Sequence, residues 1–243
     1  MNLFDKFADN YDEVRKGSAP YLFSILSVLK QSQSQNILDL GCGTGNLFQE
    51  LCRYQKGNFI GLDVSEKMIR KAKAKKIPAD WICASAENIP FQNNSFDSIV
   101  GIYTLHLFKN IPQVLSECRR VLNRGWVLFV SAPYHFIVNH PLNQFFPSFS
   151  KMDLSRFPTE EQIEDMLLHA GFSNLKREYY AVVRDWLSEE YIQKVKSKFI
   201  STLQLIPDDE FNEGIKKMRE TTSNTSSGKP IPWESVLIMG FAD

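Results

Sequence analysis

Short apolar runs alternate with amphipathic stretches through most of the 243-residue chain. The runs are bounded by glycine, proline, asparagine or charged residues, and they predict strands at 36–40, 58–65, 79–84, 95–102, 122–131, 172–183 and 235–240. Between them, apolar residues recur at helical spacing and predict helices at 20–29, 46–51, 66–76, 112–121, 159–170, 189–205 and 208–220. Short apolar runs are typical of strands covered on both faces. The alternation therefore predicts an α/β fold and excludes all-helical and all-β folds.

The first predicted strand ends in a glycine loop that opens the next helix. Gly41, Gly43 and Gly45 stand at alternate positions, and Asp39 lies two residues before the first of them. A strand, a glycine turn and a helix together indicate a nucleotide-type site at the carboxyl end of a parallel sheet. A dinucleotide fingerprint requires G-x-G-x-x-G, and Asn46 occupies the position of its third glycine. The spacing therefore argues against a nicotinamide cofactor.

The second predicted strand ends in an acid about twenty residues beyond the loop. Asp63 is placed where a carboxylate, which only accepts hydrogen bonds, can receive both hydroxyls of an adenosine ribose. The alternative role is an N-cap for the following helix, but Ser65 is better placed for that. The ribose role is favoured.

Composition adds limits rather than chemistry. Lysine plus arginine equals aspartate plus glutamate at 28 each, so no strong field favours nucleic acid or an anionic membrane. Four cysteines occur without C-x-x-C spacing, which predicts reduced thiols and neither a disulfide framework nor a metal site. The first residues show no signal pattern and no run is long enough to span a membrane. We therefore expect a cytoplasmic protein.

Successive motifs in the first half of the chain resemble the class I S-adenosylmethionine-dependent methyltransferases. The loop matches their D-x-G-x-G-x-G at Asp39, Gly41, Gly43 and Gly45, the stretch 85–91 resembles their segment ending in L-P-F, and 96–108 resembles their F-D…L-H element. The resemblance is to the small-molecule branch, which includes ubiquinone-pathway enzymes. It implies a doubly wound, mostly parallel, seven-stranded Rossmann-like sheet with an antiparallel last strand and a small helical and aromatic cap.

The resemblance also implies roles for particular residues. The glycines would admit the methionine portion of the cofactor, Asp39 would orient the loop or meet the amino acid end, Asp63 would hold the ribose, and Ser85 and Ala86 would bracket adenine. Tyr11 would fold over the methionine end or simply anchor a surface helix. The full set predicted to bind S-adenosylmethionine is Tyr11, Asp39, Gly41, Cys42, Gly43, Gly45, Asp63, Val64, Met68, Ser85, Ala86, Glu87, Ile102 and Tyr103.

His106 follows the fourth predicted strand and is the candidate catalytic residue. Its unperturbed pKa lies near neutrality, so it can act as a general base, or it can pack over the cofactor instead. His135 and His140 are second choices. The predicted reaction is methyl transfer from S-adenosylmethionine to a small-molecule acceptor by in-line displacement, without a metal. The acceptor and the oligomeric state are not predicted.

We interpret residues 1–243 as a single domain. Its parts are an N-terminal helical segment (1–35), a cofactor-binding core (36–133), an irregular aromatic-rich segment (134–157) and the C-terminal part of the fold (158–243). The aromatic segment is either a substrate lid or a packed connector. Rival functions are a nicotinamide-dependent oxidoreductase, a non-catalytic S-adenosylmethionine-binding module and, more weakly, a nucleic-acid methyltransferase.

Overall fold

The computed structural model describes residues 20–223 and 228–243. Tyr11, predicted to bind the cofactor, lies outside this range. The strands are β1 (Asn36–Leu40), β2 (Asn58–Asp63), β3 (Asp80–Cys83), β4 (Phe96–Ile102), β5 (Leu122–Ser131), β6 (Ser173–Trp186) and β7 (Pro230–Ala242). The helices of the described residues are α1 (Tyr21–Gln31), α2 (Asn46–Leu51), α3 (Glu66–Ala74), α4 (Ile111–Val121), α5 (Tyr134–Val138), α6 (Phe149–Leu154), α7 (Glu160–His169), α8 (Glu189–Lys196) and α9 (Asp208–Ser223).

The described strands form one seven-stranded sheet in the order β3-β2-β1-β4-β5-β7-β6. The strands β1 to β5 pair in parallel, while β7 runs antiparallel to β5, with Val127 opposite Gly240. The strand order reverses at β1, where a crevice forms beyond the carboxyl ends of parallel strands. The predicted doubly wound, mostly parallel fold with an antiparallel last strand is confirmed.

Local side-chain caps start several helices where the sequence predicts them. The Ser65 hydroxyl accepts from the Met68 amide and begins α3. Thr159 and Gln162 form a reciprocal capping box at α7, which satisfies two amides that the helix itself leaves unpaired. These caps fix where each helix leaves the sheet edge.

The chain divides into two compact units. The first contains the described residues up to Ser131, then Pro158–Glu178 and Val236–Asp243. Its core consists of the central strands and the helices that cover them, and Ile37, Leu38 and Leu40 of β1 have no exposed surface. A strand covered on both faces is held rigidly, so the loop that follows β1 starts from a fixed position.

The second unit consists of Ala132–Phe157 and Tyr179–Ser235. The expectation of an irregular segment at 134–157 is wrong, because α5, a 3-10 helix (Pro141–Gln144) and α6 occupy it. Four of its five phenylalanines are buried, and the Phe146 ring, which is fully buried, stacks on Phe211 of α9 with ring centroids 5.6 Å apart. A methyl group on Gly214 would lie 2.2 Å from that ring. The aromatic pattern therefore reflects packing within this unit.

Another expectation is corrected in the second unit. The helix predicted at 189–205 ends at Lys196 and is followed by a 3-10 helix, Ser201–Gln204. Lys198 between them has a φ of +54°, a left-handed conformation that stops an α-helix. Among the described residues, no helix combines the length and apolar character needed to cross a bilayer.

Candidate cofactor site

The glycine loop is held against the end of β2 by backbone hydrogen bonds. The amides of Gly41 and Cys42 both donate to the Leu62 carbonyl, at 2.7 and 3.0 Å. Gly45 has a φ of +80° and caps α2, and a methyl group there would lie 2.4 Å from the Trp81 ring. The loop therefore needs glycine both for its backbone conformation and for close approach to its neighbours.

Gly41 packs closely against Thr104, which the sequence did not identify as a site residue. Its φ is +73°, and a methyl group on it would lie 2.5 Å from the Thr104 γ-methyl carbon. Thr104 is 4% exposed, and its hydroxyl has no hydrogen-bond partner in the described part of the chain. The only hint in the sequence is its place just after β4, the strand that pairs with β1.

Asp63 braces the loop. Its Oδ2 accepts from the Gly43 amide at 2.9 Å and its Oδ1 accepts from the Ser65 amide at 2.8 Å. The carboxylate thus joins the loop to the start of α3. The sequence pointed to a ribose partner and missed this structural role, which orients the carboxylate before any ligand arrives.

Asp39 is the second acid of the site. It is 3% exposed. Burial, and secondarily the charge of Asp63, raises its pKa to about 8. Burial also raises the pKa of the Cys42 thiol, with the same two carboxylates adding to the effect. A cation bound here would stabilise the ionised form of Asp39 and lower its pKa.

The predicted adenine-side residues follow β3. The Ser85 hydroxyl donates to Glu87, and this hydrogen bond, ahead of the backbone amides that also reach the carboxylate, lowers the pKa of Glu87. Glu87 also accepts from the Lys109 amide at 3.2 Å, which ties the segment to the start of α4. Ala86 is 5% exposed and packs in the core. Glu87 therefore has a structural role in this turn.

Two residues of α4 hold the rest of this segment in a way that the sequence did not reveal. Arg120 donates to the carbonyls of Phe91 and Ile89 at 2.7 and 2.8 Å, and Glu117 accepts from the Ile89 amide at 2.8 Å. Glu117 and Arg120 also pair with each other at 2.7 Å. The loop that follows β3 is thus anchored by a charged pair on the neighbouring helix.

Three further residues predicted to bind the cofactor differ in their exposure. Val64 is 60% exposed, Met68 is 1% exposed with its side chain inside the unit, and Cys42 is 7% exposed. Of these, Val64 presents the largest open surface.

The end of β4 carries the other predicted residues. Ile102 and Tyr103 are half-buried, and Tyr103 takes a φ of +52° while its amide donates to Val130 at 2.8 Å. A left-handed, non-glycine residue stores strain of about 1–3 kcal/mol, a feature that clusters at functional sites. His106 is half-buried in the 3-10 helix Leu105–Leu107 that follows. Its role stays a prediction.

The histidines proposed as second choices lie in the other unit. His135 contacts Glu234 at 2.6 Å. His140 is buried, and burial lowers its pKa to about 3, so it is neutral at physiological pH. It accepts from the Leu142 amide through Nδ1 at 3.1 Å. This hydrogen bond gives His140 a structural role within the second unit.

Comparison with known proteins finds a domain match in the first half of the chain. Residues 38–130 match the model of a methyltransferase domain. The demethylmenaquinone methyltransferase of Thermotoga maritima is 32% identical over 130 residues, 51% of this chain and 57% of that protein. Residues 38–130 are therefore similar to a methyltransferase domain. The match of residues 38–130 agrees with the resemblance drawn from the sequence motifs.

The chain is also similar to other methyltransferases. The malonyl-[acyl-carrier protein] O-methyltransferase of Legionella pneumophila is 32% identical over 136 residues, 53% of this chain and 48% of that protein. This chain spans about half the length of these curated relatives. A solved structure from Anabaena variabilis, described as a candidate methyltransferase from an antibiotic biosynthesis pathway, superposes with a TM-score of 0.78 at 18% identity and covers 93% of this chain and 99% of that one.

The residues of the methyltransferase domain fit an adenosyl sulfonium. S-adenosylmethionine carries positive charge on its sulfonium and its ammonium, and the site presents the Asp39 and Asp63 carboxyls beside the glycine loop. The buried Thr104 hydroxyl without a partner adds an unused polar group against Gly41. Two acids near one loop are costly for an anionic ligand and favourable for a cationic one.

Proposed function

We propose that the protein transfers a methyl group from S-adenosylmethionine to a small-molecule acceptor. One observation carries the proposal: Asp39 and Asp63 lie near the carboxyl ends of the paired strands β1 and β2, beside the same glycine loop. When bound, the cofactor supplies a sulfonium that is already a strong methyl donor. The protein then needs mainly to align the reactants and exclude water, and positioning alone can supply about 7–11 kcal/mol.

The proposed roles divide the site by chemistry. Asp63 accepts the ribose hydroxyls, and its hydrogen bonds to the Gly43 and Ser65 amides support this role because they orient the carboxylate in advance. Asp39 stabilises the positive end of the cofactor, and its raised pKa supports this role because a cation favours the ionised carboxyl. Gly41, Gly43 and Gly45 allow the methionine portion to approach the backbone.

The proposal also assigns a residue to the acceptor end of the site. His106 follows β4, the strand next to β1, and as a neutral imidazole it would take the proton of an acceptor hydroxyl, amine or activated carbon as methyl transfer proceeds. If the acceptor is already ionised, no base is needed and His106 serves only to pack. A pH profile of the turnover rate for wild type and His106→Gln distinguishes the two roles.

Cofactor binding is tested first, by calorimetric titration with S-adenosylmethionine, S-adenosylhomocysteine and NADH. We expect binding of the first two and not of NADH, and loss of detectable binding in Asp63→Ala. Asp63→Asn retains one acceptor oxygen and should bind at reduced affinity. Asp80→Ala, which removes an exposed carboxylate at the other end of β3, is the control and should bind normally. Unchanged affinity in Asp63→Ala would refute the ribose assignment.

Turnover is tested with the labelled methyl donor and a panel of acceptors. Because relatives carry the names of a demethylmenaquinone and a malonyl thioester methyltransferase, the panel begins with reduced quinones and carboxylates of acyl thioesters. Binding of S-adenosylmethionine without methyl transfer to any acceptor would favour the binding-module alternative. A cytoplasmic location is proposed as well, supported by four cysteines that all remain free thiols.

A further inference from the structure

The hydroxyl of Ser85 is oriented by Glu87, two residues further along the chain. The hydroxyl donates its proton to the Glu87 carboxylate, and its oxygen accepts from the Glu87 amide at 3.3 Å. A serine hydroxyl has one proton to donate and two lone pairs that accept. The two bonds use the proton and one lone pair. Ser85, which is half-buried, can therefore meet a ligand only as a hydrogen-bond acceptor.

The residues that precede α4 hold the Glu87 carboxylate in place. Its Oε1 accepts from the Lys109 amide at 3.2 Å, and the amide of Asn110, the N-cap of α4, also bonds the carboxylate. The bond from Ser85 is the largest of the contacts that lower the pKa of Glu87. The group is thus ionised at neutral pH and only accepts. The protein, and not a ligand, sets the direction of the hydrogen bond between Ser85 and Glu87.

Ser85 lies at the same strand ends as Asp63. The register of β2 and β3 pairs Asp63 with Cys83, and the Ala84 amide donates to the Asp63 carbonyl at 3.0 Å. Ser85 is the next residue. Val64, which follows Asp63, is 60% exposed, and its carbonyl accepts from the Cys83 thiol at 3.6 Å. The ends of β2 and β3 therefore carry a carboxylate, an exposed apolar side chain and a hydroxyl that accepts.

These three groups suit a nucleoside that lies across the strand ends. The glycine loop follows β1, and the sheet order is β3-β2-β1. A ligand with its ribose on Asp63 and its amino acid end at the loop therefore extends its base toward β3. A purine there covers the apolar surface of Val64. An amino group at C6 of that purine would donate to Ser85, whereas an oxo group would leave two acceptors facing each other without a proton.

We propose that Glu87 is a positioning residue that makes Ser85 select a 6-aminopurine over a 6-oxopurine at this site. The Ser85 hydroxyl accepts from the C6 amino group, and Glu87 acts only through the orientation of that hydroxyl. The inference rests on the proposed binding of S-adenosylmethionine, and it names the pair of residues that decides which base is bound.

The first experiment compares S-adenosylhomocysteine with S-inosylhomocysteine, in which an oxo group replaces the C6 amino group, by calorimetric titration. Wild type should bind the adenosyl compound about 10- to 100-fold more tightly. In Glu87→Gln the amide oxygen still accepts from the Lys109 amide, so the amide nitrogen faces Ser85 and donates to it. The hydroxyl proton then turns to the ligand, and the ratio of the two affinities should fall about tenfold or more. A purely structural role of Glu87 would lower both affinities by the same factor.

Two changes at Ser85 and one control complete the test. Ser85→Ala should also lower the ratio, whereas Ser85→Thr keeps a hydroxyl and should preserve it. Asn88→Ala changes an exposed side chain of the same turn and should leave both affinities as in wild type. An unchanged ratio in Glu87→Gln or in Ser85→Ala overturns this inference alone. A wild-type protein that binds neither compound overturns the proposed function together with it.

The second experiment assigns the effect to C6, because S-inosylhomocysteine also carries a proton on N1. The analogue with hydrogen at C6 keeps N1 as an acceptor and lacks only the amino group. Loss of the amino group from the ligand and loss of the hydroxyl in Ser85→Ala should each weaken binding about tenfold. Together they should weaken it no more than either does alone, since both remove the same hydrogen bond. Losses that multiply would overturn the contact between Ser85 and the amino group.

Discussion

Substitution of Gly41 by alanine tests the packing of the loop against the end of β4. The added carbon would lie 2.5 Å from the Thr104 γ-methyl carbon, where carbons normally stay about 3.5–4.0 Å apart. Thr104 is almost fully buried and β-branched, so its side chain has little freedom to turn away. The overlap should cost about 1–3 kcal/mol, and the left-handed backbone about 1–2 kcal/mol more for an alanine.

A second substitution separates these two costs. Thr104→Ser removes the γ-methyl and leaves the Thr104 Cβ, 3.1 Å away, as the nearest atom. The double variant should therefore recover much of the overlap cost, a coupling of about 1–3 kcal/mol between the two sites. Gly171→Ala is the matched control: its φ is +88° but its nearest neighbour lies 3.8 Å away, so it reports the backbone cost alone.

Urea unfolding of the ligand-free variants measures these free energies of unfolding, and titration with S-adenosylmethionine measures the effect on the site. We expect Gly41→Ala to lower the free energy of unfolding more than Gly171→Ala does. After the small effect of Thr104→Ser is subtracted, the loss in the Gly41→Ala/Thr104→Ser double variant should approach the loss in Gly171→Ala. Strictly additive free energies for Gly41→Ala and Thr104→Ser would show that Thr104 does not confine residue 41.

Two further predictions concern buried charge and a loop anchor. The folded pKa of Asp39, about 8, exceeds its unfolded value, so wild-type stability falls as pH rises between these values. The free energy of unfolding of Asp39→Asn should therefore rise relative to that of wild type by at most about 1.4 kcal/mol per pH unit between pH 4 and pH 8. The variant should also bind S-adenosylmethionine less well. A difference in urea unfolding that does not change with pH would contradict this. Arg120→Ala should lower the free energy of unfolding by about 1.5–3 kcal/mol because two loop carbonyls lose their hydrogen-bond donor. Arg119→Ala, the control, removes an exposed contact to Asp243 and should lower it less. Equal losses would contradict the role of Arg120 as an anchor of the loop.

Helix and strand positions followed from the sequence wherever apolar periodicity was clear. The predicted strand at 36–40 and helix at 46–51 match β1 and α2, and the capping box at Thr159 was readable because its two residues are three apart. The helices within the aromatic segment at 134–157 were not predicted. Its short helices bury phenylalanine against residues more than sixty positions away, so local periodicity carried little signal.

The sequence by itself determined the alternation of strands and helices, the glycine loop and the acid that ends β2, because each depends on residues close together in the chain. Only the tertiary structure decided that Thr104 confines Gly41, that Asp63 braces Gly43 and that Arg120 holds the loop before β4. The first two contacts arise because the crossovers place β1 between β2 and β4. A local pattern specifies an element and its buried face, but which distant residues share a loop depends on how the strands are ordered.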